Sequence, residues 1–176
     1  STYGALELNQ DSSIEAVLGL VKGKHEVSSS THVANNQDSN GYFASVAYRG
    51  DLQKNKLNLS PFIRYDISRI KMKANNILTS SETTTDKALA IGLDLSNSID
   101  YRDGKLNRTL GVEYKANLSN DNTDYLSKNA EKELTINMGV DYQKDNSTVS
   151  VSYERVQSTN NKAHSDGIEG TIRWKF

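Results

Sequence analysis

The sequence has no cysteine, so disulfide bridges and thiolate metal sites are excluded. It has one proline, Pro61, in 176 residues, two methionines and one tryptophan. No run of apolar residues approaches the roughly 20 that a membrane-spanning helix needs. Mean hydropathy is −0.67 and hydrophobic residues make up 35% of the chain, so any apolar surface must be assembled from scattered positions. Net charge is −1, which leaves no electrostatic footprint for nucleic acid. A charged n-region followed by an apolar h-region is missing at the N-terminus, as expected of a mature or shortened chain.

What is present is strand and turn chemistry. There are 11 glycines and nine tyrosines, and Ser, Thr and Asn are frequent throughout. Apolar residues recur at every second position, so they fall on one face of an extended strand. The C-terminal segment shows this most clearly. Ile168, Gly170, Ile172, Trp174 and Phe176 share one face, while Glu169, Thr171, Arg173 and Lys175 share the other. The same alternation runs through Leu134, Ile136, Met138, Val140 and Tyr142, and through Leu110, Val112, Tyr114, Ala116 and Leu118. It recurs at Leu89 to Leu95, at Leu57 to Ile67 and in shorter form at Tyr42 to Tyr48, Ile14 to Leu20 and Val149 to Tyr153. With Leu6 and Leu8 at the start, about nine strands are expected in a single domain over residues 1–176.

The polar faces of these strands are rich in Gly, Ser, Thr and Asn and carry charges of both signs. Glu15, Arg49, Arg64, Asp66, Asp94, Glu113, Lys115, Asp141 and Arg173 all take inward positions if the apolar face looks outward. Small residues mixed with pairable charges suit a narrow, wet lumen. Pro61 falls on the apolar face of its strand, where a bulge or loosened ladder is expected. Connections alternate in length without exception. Residues 9–13, 51–56, 101–105 and 144–147 are short links, whereas 24–40, 73–87, 119–132 and 158–166 are long and polar. Tight turns on one side and long loops on the other are the rhythm of bacterial outer-membrane barrels, and a Greek-key sandwich has no reason to keep it. The fold expected is therefore all-β: an antiparallel up-and-down transmembrane β-barrel of 8–12 strands.

Two residue patterns carry a family resemblance. The run from Leu57 through Pro61, Tyr65 and Arg69 resembles the Leu-x-Pro-Tyr strand of the C-terminal translocator domain of autotransporters, the type V secretion proteins. Residues 88–114 resemble the paired strands that follow in that family, and Arg173-Trp174-Lys175-Phe176 resembles its closing strand. The resemblance implies a bacterial outer-membrane translocator, not an enzyme, that anchors and exports an N-terminally attached passenger. It implies no cofactor or metal. Its implied partners are outer-membrane lipid and lipopolysaccharide, the passenger itself, and the barrel-assembly machinery, which reads Ile168, Gly170, Ile172, Trp174 and Phe176. Family members thread a helical linker through a pore of about twelve strands; that helix and the first few strands are not found in this sequence. The Asn pairs beginning at Asn35, Asn75 and Asn160 fall in expected loops, unlike the pair that some members cleave inside the pore.

Nine strands with Phe176 on the periplasmic side put Ser1 outside the cell, against the even count usual for bacterial barrels. The expectation is then either an unnoticed strand or a chain that starts partway round a larger barrel. A small complete barrel acting as a passive anchor, adhesin or narrow pore is the alternative reading. Hydrolytic chemistry would have to use His25, His32 or His164, for example with Ser30 and Asp38 or with Ser165 and Asp166. Such residues are common in polar loops and read as loop polarity. Tyr42, Tyr48, Tyr65, Tyr142 and Trp174 read as an interface girdle.

Overall fold

The computed structural model describes residues 1–29, 32–73, 81–118, 132–159 and 163–175; for residues 25–29, 32–37 and 82 it describes the backbone alone. These residues form one antiparallel, up-and-down sheet of ten strands without a helix. The strands are β1 (Thr2–Asn9), β2 (Ser12–Ser29), β3 (His32–Gly50), β4 (Leu52–Lys54), β5 (Leu57–Met72), β6 (Glu82–Tyr101), β7 (Gly104–Asn117), β8 (Lys132–Lys144), β9 (Ser147–Ser158) and β10 (His164–Trp174). Each pairs with its sequence neighbours, except that β3 and β4 both pair with β5. No ladder joins β1 to β10 among the described residues.

The tenth strand, one more than the alternation suggests, has a local cause in Pro61. Pairing of β3 with β5 stops at Arg49 and Phe62, and resumes as β4 at Leu52 and Leu59. Pro61 lies in the gap, and with no N–H it cannot complete the ladder there. The Asp51 amide turns away and donates to the Asp11 carbonyl at 2.7 Å, while the Ser60 hydroxyl donates to the Asp51 carboxylate at 3.1 Å. The expected loosening at Pro61 is therefore present, and β4 is the continuation of β3 beyond it.

Tight links close on two residues: 10–11, 55–56, 102–103 and 145–146. Asn55, Arg102 and Asp145 open three of them in the left-handed region, at φ 59°, 51° and 49°. The opposite ends differ from expectation. Residues 24–29 and 32–40 do not form a loop but extend the β2–β3 ladder through Lys24↔Asp38, His25↔Gln37 and Val27↔Asn35 to Ser29↔His32. Asn35 thus sits in a strand; Asn75, Asn160 and Phe176 lie outside the described residues. Likewise 82–87 belongs to β6, and 164–166 to β10.

Scarcely any core exists. Ala47, Ala88 and Ala90 are the buried hydrophobic residues among those described, while Leu20 is 83% exposed and Ile168 is 80% exposed. The apolar residues instead form a band on one face. Its geometry can be measured from a row of directly paired residues crossing the sheet: Ser13, Arg49, Phe62, Gly92, Glu113, Thr135, Val156 and Ser165. On the outward face, the first polar residue toward the long connections lies nine residues above this row at Lys22 and Asn40. It lies seven above at Arg69, five at Lys87, three at Lys132 and one at His164. The lower border follows the same slope: one below at Ser12 and Gly50, five below at Asn97 and Arg108, nine below at Lys144 and Ser147.

Both borders thus fall by about eight residues, the upper over seven ladders and the lower over six. With a rise of about 3.4 Å per residue and about 4.8 Å between strands, that slope tilts the strands roughly 40° from the normal to the band. Between the borders each strand spans about ten residues, or roughly 25 Å measured along that normal. Leu118, just past β7, lies above the upper line and Leu57 on β5 below the lower one, and just inside the upper border on β9 and β10 stand Arg155 and Asp166. They lie 3.7 Å apart, and Asp166 accepts a 2.6 Å hydrogen bond from the Tyr153 hydroxyl.

Candidate functional site

Chemistry concentrates on the inward face, beneath the apolar band. Alternation places Glu15 of β2, Arg49 of β3, Arg64 and Asp66 of β5, Asp94 of β6, Glu113 and Lys115 of β7 and Glu133 of β8 on this one face. Asp141 and Arg173, also expected to line a lumen, face the same way on β8 and β10 but form no ion pair with a described residue.

Two arginines organise the rest. Arg64 donates through both terminal nitrogens to Glu113, at 2.8 Å each, in a parallel fork that fits a carboxylate. Its Nε donates to both oxygens of Asp66 at 3.0 Å, and Asp66 also accepts from the Ser45 hydroxyl at 2.6 Å. Arg49 sits 3.2 Å from Glu15 on the adjacent strand and donates to Asp94 at 2.7 Å, two strands away. Lys115 lies 3.5 Å from Glu133. The Phe62 ring lies between the two guanidinium groups, 4.9 Å from Arg49 and 6.0 Å from Arg64.

Two glycines make room for this arrangement. A Cβ on Gly92 would meet the Phe62 ring, and one on Gly111 would come within 2.7 Å of the Asp94 carboxylate. The side chains of Arg64 and Glu113 remain 31% and 17% exposed, so the network is wet and each bridge is weak alone. The pairs spread over six strands, and a side chain shared by two bridges lowers the entropic cost of ordering the second. Three cations face five carboxylates, which leaves the cluster anionic. Every carboxylate in it is committed to a cation, so the cluster acts as fixed charge and a rigid inner lining rather than as a proton-transfer pair. Two hollows open on this face, of about 380 Å³ beside Glu15, Arg49 and Phe62 and about 520 Å³ nearer the long connections, beside Phe43, Ile70 and Met72.

Glu133 and Phe62 were not singled out as site residues by the alternation. Glu133 stands one step outside the periodic segment that opens at Leu134. The signal for Phe62 was in view: it is the aromatic in an otherwise polar inward set. The aromatic residues Tyr42, Tyr48, Tyr65, Tyr142 and Trp174 all lie on the outward face. Among the histidines, His164 opens β10 with Nε2 3.7 Å from Asp166. Ser165, between them in sequence, points to the opposite face and cannot complete a nucleophilic triad with that pair. His25 lies toward the outer end of β2, as expected, whereas His32 opens β3 rather than lying in a loop. The outward set of the closing strand is Ile168, Gly170, Ile172 and Trp174, with Ile168, Ile172 and Trp174 all more than half exposed.

No family model matches this chain, and neither a curated protein nor a solved structure is similar to it.

Proposed function

We propose that this sheet is the wall of a transmembrane β-barrel in the bacterial outer membrane. In this reading it is a non-enzymatic translocator that anchors an N-terminally attached segment and holds or passes it across the charged inner face. The observation that carries the reading is the outward apolar band. Its height of roughly 25 Å and strand tilt of roughly 40° are those of the lipid-facing belt of outer-membrane barrels. In water an apolar surface of this extent would have to be covered, yet no described residue packs over it. In lipid it is already solvated, and the ion network supplies the wetted opposite side. A bilayer also forbids open sheet edges, since each unpaired backbone group costs several kcal/mol there. Hence the free edges of β1 and β10 are joined in the membrane, directly or through further strands.

The free edge of β10 also suits recognition by an assembly machine through strand addition, with Ile168, Gly170, Ile172 and Trp174 as the outward signal. The stack of Arg49, Phe62 and Arg64 over the inner face favours a second reading, a narrow or filled barrel that serves as anchor. Flotation with vesicles after refolding tests the membrane assignment. Recovery of the protein at the bottom of the gradient, free of lipid, refutes it. Planar-bilayer conductance separates the two readings: a translocator freed of its segment conducts, whereas a filled anchor stays silent. Replacement of Ile172 by Glu is expected to leave the protein unassembled in the periplasm, and normal membrane fractionation of that variant would defeat the assembly role of β10.

A further inference from the structure

The upper border of the apolar band is unevenly charged. On the outward face of β2 and β5, Lys22, Lys24, Arg69 and Lys71 stand in adjoining rows, with Lys22 and Lys71 both level with Asn40 of β3 and Arg69 level with Tyr42. Lys87 lies one row lower on β6, level with Ile67. None of Lys22, Lys24, Arg69 and Lys71 forms an ion pair with a described residue, in contrast to the inward Arg49 and Arg64, each of which holds two carboxylates. Asp38, level with Lys24, is the single carboxylate in these rows.

Beneath the cations runs a groove of about 400 Å³ whose walls include Leu20, Tyr42, Lys22, Asn40, Arg69 and Lys71. It is apolar at the band end and cationic at the border. Leu20, in its apolar part, is the most exposed large hydrophobic residue described, at 83%. A solvated cluster of four cations repels itself, and Asp38 alone among the described carboxylates stands in these rows to offset it. An occupant that is anionic above and apolar below would satisfy both halves of the groove.

We propose that this groove is a binding site for a membrane lipid whose headgroup carries more than one phosphate. The inference rests on the membrane-spanning reading and adds to it a specific lipid partner on the outward face of β2, β3 and β5. Spacing selects the headgroup. Arg69 and Lys71 lie two residues apart on one strand, about 7 Å, and Lys22 lies two strands away from Lys71, about 10 Å. One phosphate leaves part of this positive charge unmatched, whereas two phosphates on a sugar headgroup engage all three cations. Arg69 offers the planar fork that binds phosphate oxygens in pairs, and the lysines act as point charges beside it. An acyl chain then lies along Leu18, Leu20, Tyr42 and Ile67, which follow one another on the same face.

The test uses the whole chain refolded into phosphatidylcholine vesicles, with either a bis-phosphorylated glucosamine lipid or phosphatidylglycerol added at equal charge. Lipid retained after transfer to mild detergent is counted by native mass spectrometry. Retention of the bis-phosphorylated lipid at least tenfold above phosphatidylglycerol is expected. The triple variant K22Q/R69Q/K71Q should lose that preference, and K54Q/K56Q/K105Q, which removes equal charge at the tight-turn end, should keep it. Equal retention by wild type and K22Q/R69Q/K71Q, or equal retention of the two lipids, would overturn the proposal. Inorganic phosphate at millimolar concentration displacing the lipid completely would reassign the site to free phosphate and also overturn it. Failure of the protein to float with any vesicle refutes the membrane reading itself. Flotation without lipid preference refutes only the groove.

Discussion

Replacement of Ile91 by Arg separates a lipid-facing surface from a water-facing one by sign and size. Ile91 lies on the outward face of β6, four residues from Lys87 and six from Asn97, near the middle of the apolar band. Its side chain is 54% exposed. At an exposed strand position in water, such a change moves stability by no more than about 0.5 kcal/mol. At the centre of a bilayer, an arginine on the outward face of a barrel costs roughly 2–4 kcal/mol, since the guanidinium must drag water or headgroups roughly 12 Å into hydrocarbon. The matched control is Ser152→Arg. Ser152 is inward and exposed on β9 and is paired with Glu169, which would receive the new charge. The assay is equilibrium urea unfolding of vesicle-reconstituted protein, read by the emission of Trp174, the single tryptophan. Ile91→Arg is expected to lower the unfolding free energy by about 2–4 kcal/mol, a change of roughly 30-fold or more in the folding equilibrium. Ser152→Arg should stay within about 0.5 kcal/mol of wild type. Equal effects of the two substitutions would refute the assignment of faces.

Other consequences follow from the inner face and the turns. A double-mutant cycle with Arg64→Leu and Glu113→Leu should give a coupling of about 1–3 kcal/mol, because the fork between them is bidentate at 2.8 Å; additive single effects would show the bridge to be energetically idle. Gly92→Ala should destabilise by about 1–3 kcal/mol, since its methyl would meet the Phe62 ring and approach the Val112 carbonyl oxygen at 2.8 Å. Much of that loss should return in the double variant with Phe62→Leu, measured by the same urea titration, and no rescue would mean that the ring is not what opposes the methyl. Asp145→Gly should stabilise by up to about 1 kcal/mol by relieving a φ of 49° in a two-residue turn; a lower unfolding midpoint would show that the aspartate side chain contributes more than the strain removes.

The alternation made the apolar-band portion of the long strands legible, and it failed where the strands leave that band. Residues 24–29 and 32–40 are polar on both faces, so they read as a loop, yet the ladder continues through Val27↔Asn35. The reason is that backbone hydrogen bonding does not stop where the apolar environment stops, whereas the two-residue periodicity does. The same holds for Thr83, Thr84 and Thr85 at the start of β6. Pro61 announced a break in its ladder, but that the break would isolate β4 depended on the register of β3 against β5. The faces of the charged residues could be read, whereas their partners could not. Arg49 and Asp94 stand 45 positions apart, and Arg64 and Glu113 stand 49 apart. Which pairs meet is decided by stagger between strands, and that quantity has no trace in a strand read alone.

The stagger also binds the two halves of the functional reading together. Each strand alone is amphipathic, which a strand of a soluble sandwich would also be. What a sandwich does not require is that the polar borders fall on two nearly parallel lines, each traced here on six strands and sloping by about one residue per ladder. A soluble core ends wherever its covering layer ends, and that layer need not be flat. A bilayer has two flat boundaries, and a tilted strand must meet both at the same slope, as the outward borders from Lys22 to His164 and from Ser12 to Ser147 do. The inward charges obey no such borders. Arg64 and Lys115 lie opposite the middle of the apolar band, level with Ala90 on the intervening strand. Flat limits on one face and none on the other are what the proposed wall between lipid and water requires.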